Sequence, residues 1–280
     1  KKEPYKVKFY NFVRQIIKPL IFMTESNAPL SIHSEVGKLE AVLLHYPGAE
    51  VENMTPRHAQ RALYSDILNL SIARKEYDQL LGVLSRTSQV FEVSDLLTRL
   101  LQNEDSRAEL IQKVCEIEQV PAYRDYLMVL SAPVLSKILI EGLPLQIETL
   151  TDFLREEYYA LPPLYNFYFT RDPAVIIGNH ALVCKMANRV RVREALIMEA
   201  ILKSGLLGSP PVINAYELSR NHPNAMIEGG DVLIVNNDIL LIGNGARSSS
   251  EGIDLLVQEF CKFSLGKKHV ISLEDRKSVV

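Results

Sequence analysis

The chain contains no tryptophan, and its 280 residues include only three cysteines, Cys115, Cys184 and Cys261. An odd number of cysteines at wide spacing indicates neither a disulfide framework nor a zinc knuckle. Such sparse cysteine is typical of a reducing compartment. We therefore expect a cytoplasmic protein.

Two further absences limit the kind of partner. No apolar run approaches the ~20 residues that a membrane-spanning helix needs, and the first residues lack the pattern of a secretory signal peptide. Lysine and arginine number 31 against 34 aspartates and glutamates, which gives a net charge of −3. Because no apolar run is long enough, we expect no membrane span. Because there is no basic surplus to attract phosphates, we expect no nucleic-acid partner.

What the sequence does contain is typical of a soluble globular protein, with 47% apolar and 23% charged residues. Residues 1–28 differ from the rest, because they are basic and carry apolar residues at helical spacing. We interpret this segment as an amphipathic arm packed on the body. A targeting segment and a membrane-surface helix are the alternatives.

Residues 29–94 predict one module made of a strand, a helix and a second strand. An apolar run at 36–45 ends at a proline-glycine turn, helical spacing extends from 62 to 84, and a short strand follows at 91–93. Taken together, these segments predict one strand, helix, strand unit.

Residues 95–160 predict an all-helical block. Leucine and isoleucine recur at helical spacing, and breaks fall at Pro121, Pro133, Gly142 and Pro144. We expect four or five short helices packed together. Since no acids, histidines or cysteines in this block have ligand or triad spacing, we interpret it as an insertion that shapes or covers a site built elsewhere.

Residues 161–280 predict further modules, in which one pattern occurs twice. A short strand at 167–169 leads to Asp172 at the start of the first copy. The elements of the two copies are strands at 174–177 and 181–184 with a helix at 191–203, then strands at 232–235 and 239–242 with a helix from Ser248 to Phe263. A repeated strand, strand, helix module indicates a pseudo-symmetric assembly whose equivalent strand ends converge on one axis.

Two acidic residues in these copies are each followed by an arginine nineteen residues later, Asp172 by Arg191 and Glu228 by Arg247. A carboxylate can hold a guanidinium through two parallel hydrogen bonds, and a pair of arginines can hold a carboxylate. Taken singly, each residue is more often a structural ion pair or a solvated charge. The repeated spacing favours a site for a small zwitterion with a guanidinium at one end.

Three motifs, in order, resemble those of the arginine deiminases, a family of the guanidino-group-modifying pentein superfamily. They are Ser34-Glu35-Val36-Gly37-Lys38-Leu39 with Val42-Leu43-Leu44-His45-Tyr46-Pro47-Gly48, Phe169-Thr170-Arg171-Asp172-Pro173 with Ile177-Gly178-Asn179, and Glu228-Gly229-Gly230-Asp231-Val232. The resemblance implies an α/β fold, a pentein-type pseudo-symmetric propeller with an all-helical inserted domain. It also implies hydrolysis of L-arginine to citrulline and ammonia, with no metal and no organic cofactor.

The resemblance further implies a role for each matching residue. Asp172 would bind the substrate guanidinium. Glu228, supported by Asp231, would orient a general acid/base histidine and help to position the guanidinium end. The residues implied to contact the rest of the substrate are Asn166, Arg191 and Arg247 at its α-carboxylate and Phe169 at its aliphatic stem.

Two motifs of the family have no match in this sequence. One is the His-x-Asp that supplies the acid/base histidine. The other is the cysteine, after a glycine-rich run, that attacks the guanidino carbon to form a thiouronium intermediate. The three cysteines present lie where cysteine is usually a buried small hydrophobe. We therefore expect an N-terminal two-thirds of an arginine deiminase that does not turn over arginine alone.

Two alternatives stay open at this point. One is a relative that acts on another guanidino compound, such as a methylated arginine, agmatine or an amidino donor, although two arginines for a carboxylate count against agmatine. The other is a non-catalytic arginine-binding or interaction module. Because an incomplete ring would expose strand edges and core, we also expect homo-oligomers or aggregates in solution.

Overall fold

The structure is a computed structural model, and it describes residues 30–54, 64, 67–145, 149–150, 154, 158–263 and 269–274. The predicted arm at 1–28 lies outside these residues. Within them, strands and helices alternate at both ends of the chain, with a run of helices between.

The first module contains two parallel strands, β1 (Ala41–Leu44) and β2 (Gln89–Glu92). They are connected through a short helix α1 (Ala49–Glu52) and a long helix α2 (Leu70–Thr87). The predicted strand at 36–45 is thus shorter than expected. The described part of α2 begins at residue 70 because the Asn69 side chain accepts hydrogen bonds from the first free backbone N–H groups of the helix.

The helical block follows directly. Its α-helices are α3 (Val93–Leu100), α4 (Glu104–Glu118), α5 (Arg124–Val129) and α6 (Ala132–Glu141), with a 3-10 turn at Pro121–Tyr123. Asn103 caps the start of α4, and Gln119 ends it with a left-handed backbone, φ 60°. Two short antiparallel strands, β3 (Leu143–Pro144) and β4 (Tyr159–Leu161), lie after the block.

The two copies predicted after residue 161 share one topology. In the first copy, strands β5 (Ala174–Ile177) and β6 (His180–Val183) form an antiparallel hairpin, helix α7 (Val192–Lys203) follows, and β7 (Val212–Asn214) pairs in parallel with β6. A short helix α8 (Ala215–Leu218) then leads to the second copy.

The second copy repeats this order. Strands β8 (Val232–Ile234) and β9 (Ile239–Asn244) form the hairpin, α9 (Ser250–Phe263) follows, and β10 (His269–Glu274) is parallel to β9. The third strands, β7 and β10, were not predicted. A strand of three residues is too short to show a period, and β10 mixes polar with apolar residues on both faces.

One predicted element is wrong. Residues 167–169 form a turn instead of a strand, because successive backbone N–H groups bond to the carbonyl three residues earlier, Phe167 to Leu164 and Phe169 to Asn166. Phe167 is fully buried, so this apolar residue packs the turn onto the core and does not belong to a strand.

A single buried cluster extends from α3 in the helical block through α7 to the strands and helix of the second copy. Helix α7 packs on α3 and α4 with one side and on β5 to β7 with the other. The helical block therefore shares its core with the strand modules, and its boundaries at 95 and 160 stay a prediction.

The mixed α/β class is confirmed, whereas closure of the modules into a propeller stays a prediction. Among the described residues, no helix combines the length and apolar character that crossing a bilayer requires.

Candidate active site

Two turns meet at the edge of the strand modules, and each carries one of the predicted acids. The first turn spans 164–172 and ends when the Asp172 N–H donates to the Phe169 carbonyl at 3.1 Å. The second is the 3-10 turn Gly229–Asp231, directly after Glu228. The Gly229 N–H donates to the Asp172 carbonyl at 2.9 Å, so the two turns are in backbone contact.

Both glycines of the second turn are required by this close approach. A Cβ atom at Gly229 would clash with the Arg171 carbonyl oxygen, and one at Gly230 would clash with Oδ1 of Asp172. The motif Glu-Gly-Gly-Asp therefore lets one turn lie against the other without side chains between them.

Arg191 lies between the two turns, at the end of a 3-10 turn (Arg189–Arg191) that leads into α7. Its Nη1 donates to Oδ2 of Asp172 at 2.6 Å and lies 3.8 Å from Oε2 of Glu228. Its Nη2 donates to the backbone carbonyl of Asn166 at 3.3 Å. The side chain is 1% exposed, so this guanidinium is buried among groups that neutralise it.

A third carboxylate, Glu194, was missed at the sequence level. Its Oε2 accepts from Nε and Nη2 of Arg191 at 3.0 and 2.8 Å, one helical turn along. Burial raises the pKa of the Glu194 carboxyl to about 7, although the charge of Arg191 acts in the opposite direction. The spacing of three residues at a helix start is the signal that could have found this pair.

The same partners also change the pKa of the Arg191 guanidinium. Burial alone would lower its pKa, but the charges and hydrogen bonds of Glu194 and Asp172 outweigh burial and raise it. Three carboxylates thus surround this buried positive charge. Two further arginines share their charge, since Arg193 acts electrostatically on Glu194 and Arg247 pairs with Glu228.

The second predicted pair also forms. Nη1 of Arg247 donates to Oε2 of Glu228 at 3.0 Å, and Oε1 of Glu228 accepts from the Ala187 backbone N–H at 3.0 Å. Glu228 is 2% exposed, whereas Arg247 is 47% exposed. Each acid therefore pairs with the arginine nineteen residues later, and only the second arginine is open to solvent.

Asp231 contacts Glu228 indirectly, through Ser248. The Ser248 hydroxyl donates to Oδ2 of Asp231 at 2.6 Å and accepts from the Glu228 backbone N–H at 3.1 Å. Asp231 thereby fixes the backbone on which Glu228 is carried. This link depends on a hydroxyl at 248.

Six of the seven residues predicted for the site lie in this network, and Phe169 lies beside it. They are Asn166, Asp172, Arg191, Glu228, Asp231 and Arg247. The Phe169 ring packs at a tilt against Tyr168, with ring centroids 4.4 Å apart, and is half-exposed at the same turn. Their roles toward a substrate stay predictions.

No cysteine in the described part of the chain is placed as a nucleophile at this site. Cys184 lies closest, since Glu228 and Asp172 affect it electrostatically, but burial raises the pKa of its thiol far above the ordinary value. The described residues also contain no group of three or more histidine, cysteine or acidic side chains arranged to hold a metal ion.

Comparisons with known proteins point to one family. The family model described as arginine deiminase matches residues 60–278. An arginine deiminase of Listeria monocytogenes serotype 4b is 31% identical over 258 residues, which cover 88% of this chain and 62% of the relative. One from Bacillus cereus (strain B4264) is 32% identical over 260 residues, which cover 88% and 63%. The chain thus spans less than two thirds of the length of these relatives.

Solved structures of similar topology are more distant. A dimethylarginine dimethylaminohydrolase from Pseudomonas aeruginosa, complexed with citrulline, aligns at a TM-score of 0.46 and 15% identity, covering 85% of this chain and 63% of that one. An amidinotransferase from Microseira wollei aligns at 0.47 and 13%, covering 89% and 63%. These likenesses are too low to carry an argument, but the sequence match covers most of the chain. The chain belongs to the arginine deiminase family.

Proposed function

We propose that this chain supplies the substrate-binding half of an arginine deiminase, which hydrolyses L-arginine to citrulline and ammonia. The observation that carries the proposal is the pairing of two acids, Asp172 and Glu228, with two arginines at adjoining turns. A reducing compartment, the cytoplasm, suits its free cysteines.

Asp172 would bind the guanidinium end of the substrate. Its Oδ2 already accepts from Arg191, and its side chain is 22% exposed, so the carboxylate is partly open to a guest. A carboxylate and a guanidinium form short, charge-assisted hydrogen bonds. Glu228 adds negative charge at the same place, because it lies 3.8 Å from the same Arg191 nitrogen.

Arg247 would bind the α-carboxylate end, because its guanidinium is half-exposed and attached to the site through Glu228. Arg191 and Asn166 are the other candidates for this end. Arg191 would have to exchange a bond to Asp172 or Glu194 for one to the substrate, since both acids occupy its nitrogens. Phe169 would pack on the aliphatic stem.

The chemical step itself needs groups beyond those described. In the proposed reaction a cysteine thiolate attacks the guanidino carbon, ammonia leaves, and water hydrolyses the thiouronium intermediate to citrulline. A histidine would move the protons, and Glu228 would orient it. We propose that the 280 residues alone bind arginine and do not turn it over, and that they join copies of themselves in solution.

Two other functions follow from the same site. A hydrolase or amidinotransferase for another guanidino compound would keep the acids and differ at the carboxylate end. A non-catalytic arginine-binding module would use the pocket as it stands. The half-exposed Arg247 favours a ligand with a free carboxylate over one without.

Isothermal titration with a ligand series tests the proposal. L-arginine should bind, agmatine should bind at least about tenfold more weakly because it lacks the carboxylate, and L-citrulline should bind more weakly because it lacks the positive charge. An assay for citrulline separates the enzyme from the binding module. Equal binding of arginine and agmatine would refute the assignment of Arg247, and no binding of either would refute the pocket.

A further inference from the structure

Arg171 lies beside Asp172 in the sequence, yet its side chain joins parts of the chain that lie far apart. Nη1 and Nη2 donate to the two carboxylate oxygens of Glu35 at 3.1 and 2.5 Å, a bidentate pair. Nε donates to the Gly229 carbonyl at 3.2 Å, and Nη2 also donates to the Val232 carbonyl at 2.6 Å.

Glu35 is itself fixed to strand β8. Its backbone N–H donates to the Ile234 carbonyl at 2.9 Å, and its Oε1 accepts from the Ile234 N–H at 2.9 Å. Glu35 therefore binds one residue of the strand with both backbone and side chain. Arg171, held by Glu35, is then tied to the same strand.

The contacts of Arg171 bracket the second acidic turn. Its two carbonyl acceptors, Gly229 and Val232, lie on either side of Gly230 and Asp231. Gly229 is bound twice, since its N–H donates to the Asp172 carbonyl and its own carbonyl accepts from Arg171. Bonds in both directions fix the separation of the two turns.

We propose that Arg171 and Glu35 are a positioning pair that sets the spacing between Asp172 and Glu228, the two acids proposed to bind the guanidinium. The expected effect on guanidinium binding rests on the proposed function, whereas the positioning of the two turns rests on the contacts described above. Arg171 acts through the backbone of the second turn. A guanidinium suits this task because its planar fork reaches a carboxylate and two carbonyls together, which an ammonium cannot do.

The test compares Arg171→Met with Arg107→Met, a matched control in the helical block. Arg107 also donates to backbone carbonyls, those of Leu101, Met128 and Leu130. Both substitutions remove a side chain that ties segments together, so both should lower the melting temperature. Only Arg171→Met should weaken L-arginine binding, by about tenfold or more, because a shift of ~1 Å at a binding group is enough.

Arg171→Lys provides the conservative variant, and it also serves if Arg171→Met does not fold. The lysine keeps the charge near Glu35 but loses the bonds to both carbonyls, so its affinity should fall between those of the wild type and Arg171→Met. Glu35→Gln keeps an acceptor for Ile234 and Arg171. Its loss of affinity for L-arginine should therefore be the smallest of the three variants. Affinity for L-arginine that is unchanged in Arg171→Met and Arg171→Lys would overturn the pair as a positioning device.

Hydrogen exchange gives a readout that does not need a ligand. The Gly229 amide bonds to the Asp172 carbonyl across the two turns, so its exchange should be at least about tenfold faster in Arg171→Met and unchanged in Arg107→Met. If the wild type binds no arginine, the proposed function fails and this exchange rate alone decides the inference. Unchanged exchange at Gly229 in Arg171→Met would then overturn it.

Discussion

The most demanding prediction concerns His45, a buried histidine outside the candidate site. Its Nε2 lies 3.2 Å from Oε1 of Glu50 in a hydrogen bond, and its Nδ1 lies 3.3 Å from Oε1 of Glu92. The second contact is less well aligned for a hydrogen bond than the first, but Glu92 also favours the charged imidazole. The imidazole also packs on Phe167, which anchors the turn that leads to Asp172.

Burial alone would lower the pKa of His45, but Glu50 and Glu92 outweigh burial and raise the pKa from 6.5 to about 9. A histidine whose pKa is raised by folding contributes stability that is fully present below pH 6.5 and is lost as the pH rises through about 9. Each pKa unit corresponds to about 1.4 kcal/mol, so the whole shift corresponds to roughly 3 kcal/mol.

The perturbation is His45→Gln, which keeps a donor near Glu50 and removes the charge. Urea unfolding at pH 6, 8 and 10 would give the difference in the free energy of unfolding between the wild type and the variant. We expect this difference to fall by about 3 kcal/mol between pH 6 and pH 10. All other titratable groups are present in both proteins, so their effects cancel in the difference.

A control separates burial from the mere presence of a histidine. His222 pairs with Glu251 at 2.7 Å, but its side chain is half-exposed. His222→Gln should change the free energy of unfolding by less than ~1 kcal/mol at every pH. If His45→Gln were equally destabilising at pH 6 and pH 10, the argument that His45 is charged in the folded protein would be refuted.

Three further predictions follow from the site and its surroundings. Gly230→Ala places a methyl group against Oδ1 of Asp172, whose other oxygen is held by Arg191, so titration should show about tenfold weaker L-arginine binding and urea unfolding should show some loss of stability. Leu233→Lys introduces a charge into an apolar face of β8, where Leu233 is 44% exposed, so light scattering should show less self-association than in the wild type. Arg191→Met leaves buried carboxylates unpaired and should cost about 3 to 5 kcal/mol in urea unfolding. Arg193→Met should cost less, because two of its buried nitrogens have no hydrogen-bond partner among the described residues and its ion pair, at 3.2 Å, is with the partly exposed Glu118.

Each of these predictions has a control variant. Gly82→Ala, at an open position in α2, should stabilise the helix and leave binding unchanged. Val129→Lys, at a position that is 80% exposed on α5, should not change association. A stable monomer in the wild type would argue against the exposed face as a contact surface. A larger loss for Arg193→Met than for Arg191→Met would contradict the charge balance described for the site.

More of the candidate site than of the surrounding fold could be predicted from the sequence. The equal spacing of Asp172 to Arg191 and of Glu228 to Arg247 corresponds to two real ion pairs, because each acid precedes a hairpin and each arginine follows it. The repeated module was predictable from hairpin signals. Its third strand was not, since it forms only by pairing with a strand distant in the sequence.

What could not be predicted depends on burial. Spacing does not show which arginine is enclosed, and the structure places Arg191 at 1% exposure and Arg247 at 47%. Arg171 and Glu35 belong to recognisable motifs, but their contact joins segments more than a hundred residues apart. Such pairings follow from tertiary packing, which a local pattern does not encode.

The central claim is that Asp172 is the group that holds a guanidinium ligand. Titration of L-arginine into the wild type, Asp172→Asn and Asp125→Asn tests it most directly, because Asp125 is an exposed aspartate in the helical block. The account predicts that Asp172→Asn weakens binding by about tenfold to a hundredfold, the loss expected for one charged hydrogen-bond partner, while Asp125→Asn binds as the wild type does. Equal L-arginine affinity in all three proteins would contradict it.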